Sequence, residues 1–256
     1  MDSGQTSTTI IMAARLFHEA RKTGDKITAL PPEALPRSEV EADLIQDEVA
    51  RLTGPVCAWK VGAATPQATP SRAPIHAQSL FIDPGHIQAA MFSHIGAEAE
   101  IVYKFSKDLS AEGKIFSLEE ILDAVESIHP AIEILDTRFP ELGSQPALAH
   151  RADQGNHGAL IIGAPIADWR SLAPQAQRVI LEINGTVVSD KIDGNTAGNP
   201  ENLLVWLVNH GAASLGGVKA GQYVTTGSCS GTIMVTAPVQ LKATLSGHGS
   251  LSLTIA

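Results

Sequence analysis

Two apolar runs of this chain carry carboxylates where a strand has little room for them. Gly96-Ala-Glu-Ala-Glu-Ile-Val-Tyr-Lys-Phe105 sets Glu98 and Glu100 among small and apolar residues, and His129-Pro-Ala-Ile-Glu-Ile-Leu-Asp136 sets Glu133 between Ile132 and Ile134. Both read as strands. Residues two apart on a strand share a face, so Glu98 and Glu100 point the same way with Cα atoms roughly 6.5 to 7 Å apart. Taken alone, that pair also fits an ordinary solvated face running Glu98, Glu100, Val102, Lys104. The second run alternates poorly, which reads as burial on both faces. A carboxylate there is costly to desolvate unless it is paired. An all-oxygen site for a hard divalent cation, magnesium or manganese, accounts for all three glutamates.

The rest of the composition narrows the function classes. The net charge of −9 over 256 residues argues against nucleic acid or an anionic membrane as the main partner, and an anionic substrate then needs a local cation. No apolar span approaches the length of about 18 residues that a membrane helix needs. The start, Met1-Asp-Ser-Gly-Gln-Thr-Ser, lacks the basic and apolar regions of a secretory signal, so a cytoplasmic location is the expectation. Cys57 and Cys229 form no Cys-x-x-Cys and read as reduced, inert core thiols.

Along the chain, Ile10, Ala13, Phe17 and Ala20 predict a helix over 9–23 that stops at Gly24. A second helix starts at the capping box Ser38/Glu41, with Val40, Leu44, Val49 and Leu52 as its face and Gly54 past its end. Val56 to Val61 is a short strand interrupted by Lys60, and the proline-rich stretch Thr65 to Pro74 reads as a loop. A third helix begins at Ser117/Glu120, buries Leu118, Ile121, Leu122, Val125 and Ile128, and ends at Pro130. Further on, 159–162 is a buried strand, Asn184-Gly185 joins a hairpin of 179–183 with 186–189, and Asn199-Pro200 opens a helix with Leu203, Leu204, Leu207 and Val208 inward. Strands follow at 223–226, 232–236, 239–245 and 251–255. Helices first and strands later favour an α+β fold. The glycine-rich pieces match neither phosphate-binding fingerprint, so no nucleotide cofactor is indicated.

Other residues have the right chemistry. Lys60, alone in an apolar strand, is either a general acid–base group or an edge lysine reaching water. In His150-Arg-Ala-Asp-Gln-Gly-Asn-His157, Asp153 and Asn156 are equipped to orient a water or a substrate oxygen, or to cap a loop. Ser228, in Thr225 to Gly231, belongs to a turn with hydroxyls and free N–H groups suited to a carboxylate. His18-Glu19 reads as helix surface.

Trp59-Lys-Val-Gly62, the Glu-x-Glu run, Pro130 to Arg138, Ala152-Asp-Gln-Gly-Asn156, Leu181-Glu-Ile-Asn-Gly185, and Gly198-Asn-Pro200 through Trp206-Leu-Val-Asn209 stand in an order that covers nearly the whole chain. In this order the chain resembles the 2-keto-4-pentenoate hydratase and 4-oxalocrotonate decarboxylase family of the fumarylacetoacetate hydrolase superfamily. The resemblance implies a mixed β-roll with flanking helices, divided into an N-terminal helical region over 1–75 and a catalytic domain over 76–256. It implies Glu98, Glu100 and Glu133 as ligands of magnesium or manganese, Lys60 and Asp153 as catalytic residues, and Asn156 and Ser228 as substrate-binding residues. The asparagine is displaced relative to the family pattern. The implied enzyme is a lyase of aromatic-compound catabolism acting on a 2-oxo (2-hydroxydienoate) acid through a metal-stabilised dienolate. Hydratase comes first, with 4-oxalocrotonate-type decarboxylase, acylpyruvate hydrolase or isomerase, and a non-catalytic 2-oxo acid-binding subunit as alternatives. A hydrolase calls for a His–Glu pair near the metal; no such motif stands out, and His18-Glu19 is left open until a structure places it. A homo-oligomer is implied, alone or with a second enzyme of the pathway. Ala63 to Pro74 is shorter and richer in proline than the family's segment, which points to a different substrate.

Overall fold

Glycine and proline cut the chain into short elements, and the structure, a computed structural model, describes residues 3–256. The order begins α1 (Ser3–Thr23), α2 (Glu39–Thr53), β1 (Val56–Gly62), β2 (Ser71–His76), β3 (Leu80–Ile82), β4 (His86–Ile87) and β5 (Ile95–Phe105). It continues through α3 (Leu118–Leu122), β6 (Val125–Leu135), α4 (Ala147–Ala152), β7 (His157–Ile162), β8 (Val179–Ile183), β9 (Thr186–Lys191) and α5 (Glu201–Trp206). It closes with β10 (Tyr223–Thr225), β11 (Ile233–Val235), β12 (Val239–Leu245) and β13 (Gly249–Ile255).

Two mixed sheets result. The larger runs β2-β1-β10-β5-β6-β7-β3 with β11 also paired to β5, and the smaller runs β4-β13-β12-β8-β9. This is the expected α+β architecture with flanking helices. One face of β5 and β6, carrying Ala97, Ala99, Ile101, Tyr103, Ile132 and Ile134, packs on Leu181, Leu241, Ala243 and Leu253 of the smaller sheet in the main core. The opposite face holds a smaller apolar cluster of Ala58, Ile75, Val102, Ala131, Leu160 and Ile162. Glu98, Glu100 and Glu133 share this second face, by the period of two. A third cluster joins α1, α2 and α4 through Ala13, Phe17, Ile45, Val49 and Ala149, with the Phe17 ring edge-on to Phe139 at 5.7 Å. Each large side chain buried there contributes about 2 kcal/mol.

Three local expectations change. The Ser117/Glu120 capping box forms in both directions, at 3.2 and 2.9 Å, but α3 ends at Leu122. Val125 and Ile128 belong to the eleven-residue β6, because a strand buried on both faces gives the same apolar run as a helix. Pro130 is tolerated within it: Ala131 pairs with Ile162 at the end of the β7 ladder, and only the Pro130 carbonyl is used beyond, by Gly163 N–H at 2.9 Å. Thr65 to Pro74 is a loop only in its first half. Ser71 to His76 form β2 at the sheet edge, where Pro74 removes no ladder bond from a central strand.

In α2, Ser38 caps Glu41 N–H at 3.1 Å, while the Glu41 carboxylate takes Arg37 N–H instead of completing the box. The buried stripe is Ala42, Ile45, Gln46 and Val49; Val40 and Leu52 are 68% and 41% exposed. Polar anchors turn the helix this way. Asp47 pairs with Arg72 of β2 at 2.5 Å, and Gln46 donates to the Arg151 carbonyl at 2.5 Å. No helix among the described residues is long and apolar enough to cross a membrane.

Candidate active site

The ladder between β5 and β6 sets Glu98 directly opposite Glu133, and Glu100 follows two residues along on the same face. Each of the three offers an oxygen, and these atoms lie within 4.8 Å of one another. They are 8%, 1% and 1% exposed. Like charges opposed across a strand pair are destabilising, so the surroundings must answer for them.

Most of the answer comes from donors on neighbouring strands. Lys60 of β1 is in register with Thr225 of β10, which is in register with Val102 of β5, so Lys60 and Thr225 point to the carboxylate face. Lys60 Nζ donates to Glu133 Oε1 at 2.7 Å, and His157, the first residue of β7, lies with Nδ1 2.9 Å from the same oxygen. Two donors on Oε1 leave the other oxygen to the cluster. The Thr225 hydroxyl donates to Glu100 Oε2, and the Thr232 hydroxyl to Glu98 Oε1. Glu100 Oε1 is buried with no hydrogen-bond partner.

The charges are unevenly satisfied. Burial raises the Glu133 carboxyl, but the Lys60 charge and the His157 hydrogen bond overcome it and hold the group at about 2. Burial and then the neighbouring Glu133 charge push Glu98 up, and the same causes with Glu98 added push Glu100 well up. Burial alone lowers Lys60; the attraction of Glu133 and Glu98 outweighs it, and the ammonium is held above its ordinary value. Burial drives His157 down to about 4, so its imidazole is neutral and Nδ1 carries the proton given to Glu133.

A left-handed turn delivers two of these partners. Gln154, Gly155 and Asn156 have φ of 51°, 57° and 61°. Two non-glycine residues in that region cost roughly 1–2 kcal/mol each. The turn places the Gly155 carbonyl 3.3 Å from Lys60 Nζ and starts β7 at His157. Asp153 secures it from behind: its fully buried carboxylate accepts from Arg21 at 2.9 Å, the Thr137 hydroxyl at 3.0 Å and Arg138 N–H at 2.7 Å. Burial, then the Arg138 charge, lower Arg21 to about 9 against the pull of Asp153.

The cavity above the cluster measures about 480 Å³ and is lined by the three glutamates, Lys60, Ser228 and Thr232 among others. Four of the residues expected to act there, Lys60 and the three glutamates, therefore come together, and Ser228 stands on the wall. Ser228 Oγ accepts Gly231 N–H at 2.9 Å. Asp153 and Asn156 are corrected in position. Neither lines the cavity: Asp153 is enclosed by its own donors, and Asn156 Oδ1 lies 2.7 Å from His150 Nδ1. They shape the turn that carries Gly155 and His157. His18 and Glu19 are also absent from the wall, with His18 beside Thr53 at 3.2 Å and Glu19 beside Lys22 on the surface.

His157, Thr225 and Thr232 are additions. The only sequence signal for His157 was its place at the end of the polar run before an apolar strand. Three clustered carboxylates, one with a buried oxygen that has no partner and two pushed toward protonation, form a donor set that fits a hard divalent cation.

The model of the fumarylacetoacetate (FAA) hydrolase C-terminal family matches residues 55–255. A 2-hydroxyhexa-2,4-dienoate hydratase of Comamonas testosteroni is 27% identical over 169 residues, 65% of this chain and 62% of the relative. A 4-oxalocrotonate decarboxylase of Pseudomonas sp is 27% identical over 172 residues, 66% of this chain and 63% of the relative. The match thus spans less than two thirds of either relative. Among solved structures, 4-oxalocrotonate decarboxylase from Pseudomonas putida G7, complexed with magnesium and adipate, superposes with TM-score 0.85 at 20% identity over 98% of both chains. Fumarylpyruvate hydrolase from Pseudomonas aeruginosa, in complex with Mn2+ and pyruvate, shares the fold more distantly, with TM-score 0.54 at 16% identity over 78% of this chain and 88% of that one. The chain belongs to the fumarylacetoacetate hydrolase C-terminal family.

Proposed function

We propose that this protein is a divalent-metal-dependent lyase that enolises a 2-oxo or 2-hydroxydienoate acid, with hydration of the 2-keto-4-pentenoate type as its reaction. The observation that carries this reading is Lys60 Nζ set 2.7 Å from Glu133 inside the three-carboxylate cluster. It puts a proton carrier beside the only donor set among the described residues suited to a cation. The curated relatives, a hydratase and a decarboxylase, support it.

Glu98, Glu100 and Glu133 would hold magnesium or manganese. When bound, that ion supplies positive charge for the 2-oxo oxygen as negative charge develops there, and it offsets the carboxylate field that holds Lys60 protonated. Lys60 moves the proton at the substrate carbon, with the Gly155 carbonyl and Glu133 fixing its ammonium from two sides. Neutral His157 keeps Glu133 aimed without adding charge. Ser228 and the N–H groups of its turn face the cavity where a substrate carboxylate can be held. In hydration, water adds at the carbon conjugated to the 2-oxo group. Decarboxylation shares the enolising step and differs in what leaves. His18 and Glu19, the pair left open for a hydrolase, lie off the cavity.

The test is turnover of 2-hydroxypenta-2,4-dienoate, 4-oxalocrotonate and an acylpyruvate by magnesium-loaded protein, with Lys60→Ala and Glu133→Ala beside it. Hydration of the dienoate, abolished in both variants, is expected. If none of the three is converted while a 2-oxo acid still binds, the lyase reading is lost to a binding role.

A further inference from the structure

Among the described residues that line the cavity, two carry a buried side-chain oxygen with no hydrogen-bond partner: Glu100 Oε1, inside the carboxylate cluster, and Gln46 Oε1 of α2. The first belongs to the metal donor set. The second takes no part in enolisation. Gln46 is only 1% exposed, and a buried acceptor left unmet is costly, so its oxygen calls for a donor from the cavity.

The other end of the amide fixes which atom is left over. Gln46 Nε2 donates to the Arg151 carbonyl at 2.5 Å, and the reversed amide would set two carbonyl oxygens against each other. Arg151 is clamped to Asp43 of the same helix at 2.8 and 2.9 Å, and Asp47, next to Gln46, holds Arg72 of β2 at 2.5 Å. Four residues past Arg151, the Gly155 carbonyl lies 3.3 Å from Lys60 Nζ. One backbone segment therefore carries a partner of Gln46 and a partner of Lys60. The family model begins its match at residue 55, so Gln46 is a wall residue that the N-terminal helices add to the site.

The chemistry of an amide oxygen is narrow. It is an uncharged acceptor that takes up no proton near neutral pH, repels anionic oxygen, and answers only a group with a hydrogen to give. Water, and the hydroxyl that water becomes, are such groups. We infer that Gln46 is a positioning residue that holds the water added in hydration and then the new hydroxyl. In a 2-oxo-3-enoate, the water oxygen bonds to carbon 4 as the C3=C4 pair moves onto the 2-oxo oxygen. One water hydrogen stays on the new hydroxyl, and the other reaches carbon 3 through Lys60, which ends as it began. The inference rests on the proposed hydration and adds the residue that aims its water.

Hydrogen exchange separates aiming from enolisation. 2-Oxopentanoate keeps the head and chain length but has no double bond to hydrate, so deuterium entry at its carbon 3, followed by NMR in D2O, reports enolisation alone. In magnesium-loaded protein, Gln46→Met should lower turnover of 2-hydroxypenta-2,4-dienoate by about 10²-fold, the cost of a misplaced reactant, while exchange stays within about twofold of wild type. Loss of both in step would make Gln46 a brace for the Gly155 turn, and loss of neither would leave it idle; either overturns the inference. A second measurement needs no variant. Titration calorimetry of the loaded wild type should favour 4-hydroxy-2-oxopentanoate over 2-oxopentanoate by about tenfold, the worth of one hydrogen bond to a buried acceptor, and equal affinities overturn the inference too. If the wild type neither exchanges 2-oxopentanoate nor converts the dienoate, the lyase reading itself falls and takes this inference with it.

Discussion

Glu133 and Asp153 are both buried carboxylates facing arginine or lysine, and they differ in what they leave unfinished. Asp153 has three donors of its own, from Arg21, Thr137 and Arg138, and no access to the cavity. Glu133 spends one oxygen on Lys60 and His157 and stands within 4.8 Å of two further carboxylates, one of which has an orphaned oxygen. A buried charge whose partners are complete fixes a shape. One whose partners are incomplete, beside an open cavity, is equipped to bind.

The contrast can be broken at its catalytic end first. Lys60→Ala should lower kcat/KM by about 10²–10⁴, the range for losing a positioned acid–base group, while the magnesium-loaded fold survives, since the cation would still answer the Glu133 charge that the lysine leaves. The measurement is steady-state kinetics beside a thermal melt. An equal collapse of both would make Lys60 a structural counter-ion like Arg21. At the other end, Asp153→Ala leaves Arg21 buried without its partner and should cost about 3–5 kcal/mol of stability by urea unfolding. Activity then falls through displacement of the Gly155 turn, so Asp153→Asn, which keeps the shape, should retain more of it. A stable Asp153→Ala with lost turnover would return Asp153 to a direct role.

How far the sequence reached follows the same division. Glu98 and Glu100 share a face because a strand repeats every two residues, and that is legible from spacing alone. The pairing of Glu98 with Glu133 is not. It depends on register, and a one-residue slip would send Glu133 to the main core. Lys60 stood out as a charge in an apolar strand, but its partner lies 73 residues away, which local pattern cannot supply. Asp153 and Asn156 looked like site residues because polar clusters before strands look alike whether they face a cavity or a neighbouring helix. The α3 boundary failed because β6, buried on both faces, imitates a helix.

A smaller effect sharpens the unfinished side. Magnesium at one hundred times its dissociation constant should stabilise the wild type by about 2.7 kcal/mol. Glu98→Ala and Glu100→Ala should remove that gain in thermal melts. An unchanged shift in either variant would place the cation elsewhere. Glu100→Gln should go further: without added metal it should unfold no more easily than the wild type, because it removes a charge that burial and two neighbours already disfavour.

The smallest effect concerns pH. His129 is mostly buried on β6, with Nδ1 2.8 Å from the Gly163 carbonyl and Nε2 2.8 Å from the Ser127 hydroxyl. Burial and then the nearby Lys104 charge hold it below its ordinary value, against the pull of the Gly163 carbonyl and Glu126; His76 is lowered mainly by burial too. The unfolded chain therefore takes up protons near pH 6.5 that the folded chain refuses. The stability that these neutral imidazoles represent is complete above pH 6.5 and drains as pH falls through their folded values. Urea midpoints measured in steps from pH 7.5 to 5 should decline, and less steeply in His129→Asn, which removes one of the three lowered imidazoles, His157 being the third. A slope unchanged by that substitution would assign the decline to His76, His157 and the carboxylates and leave β6 indifferent to protons at this position.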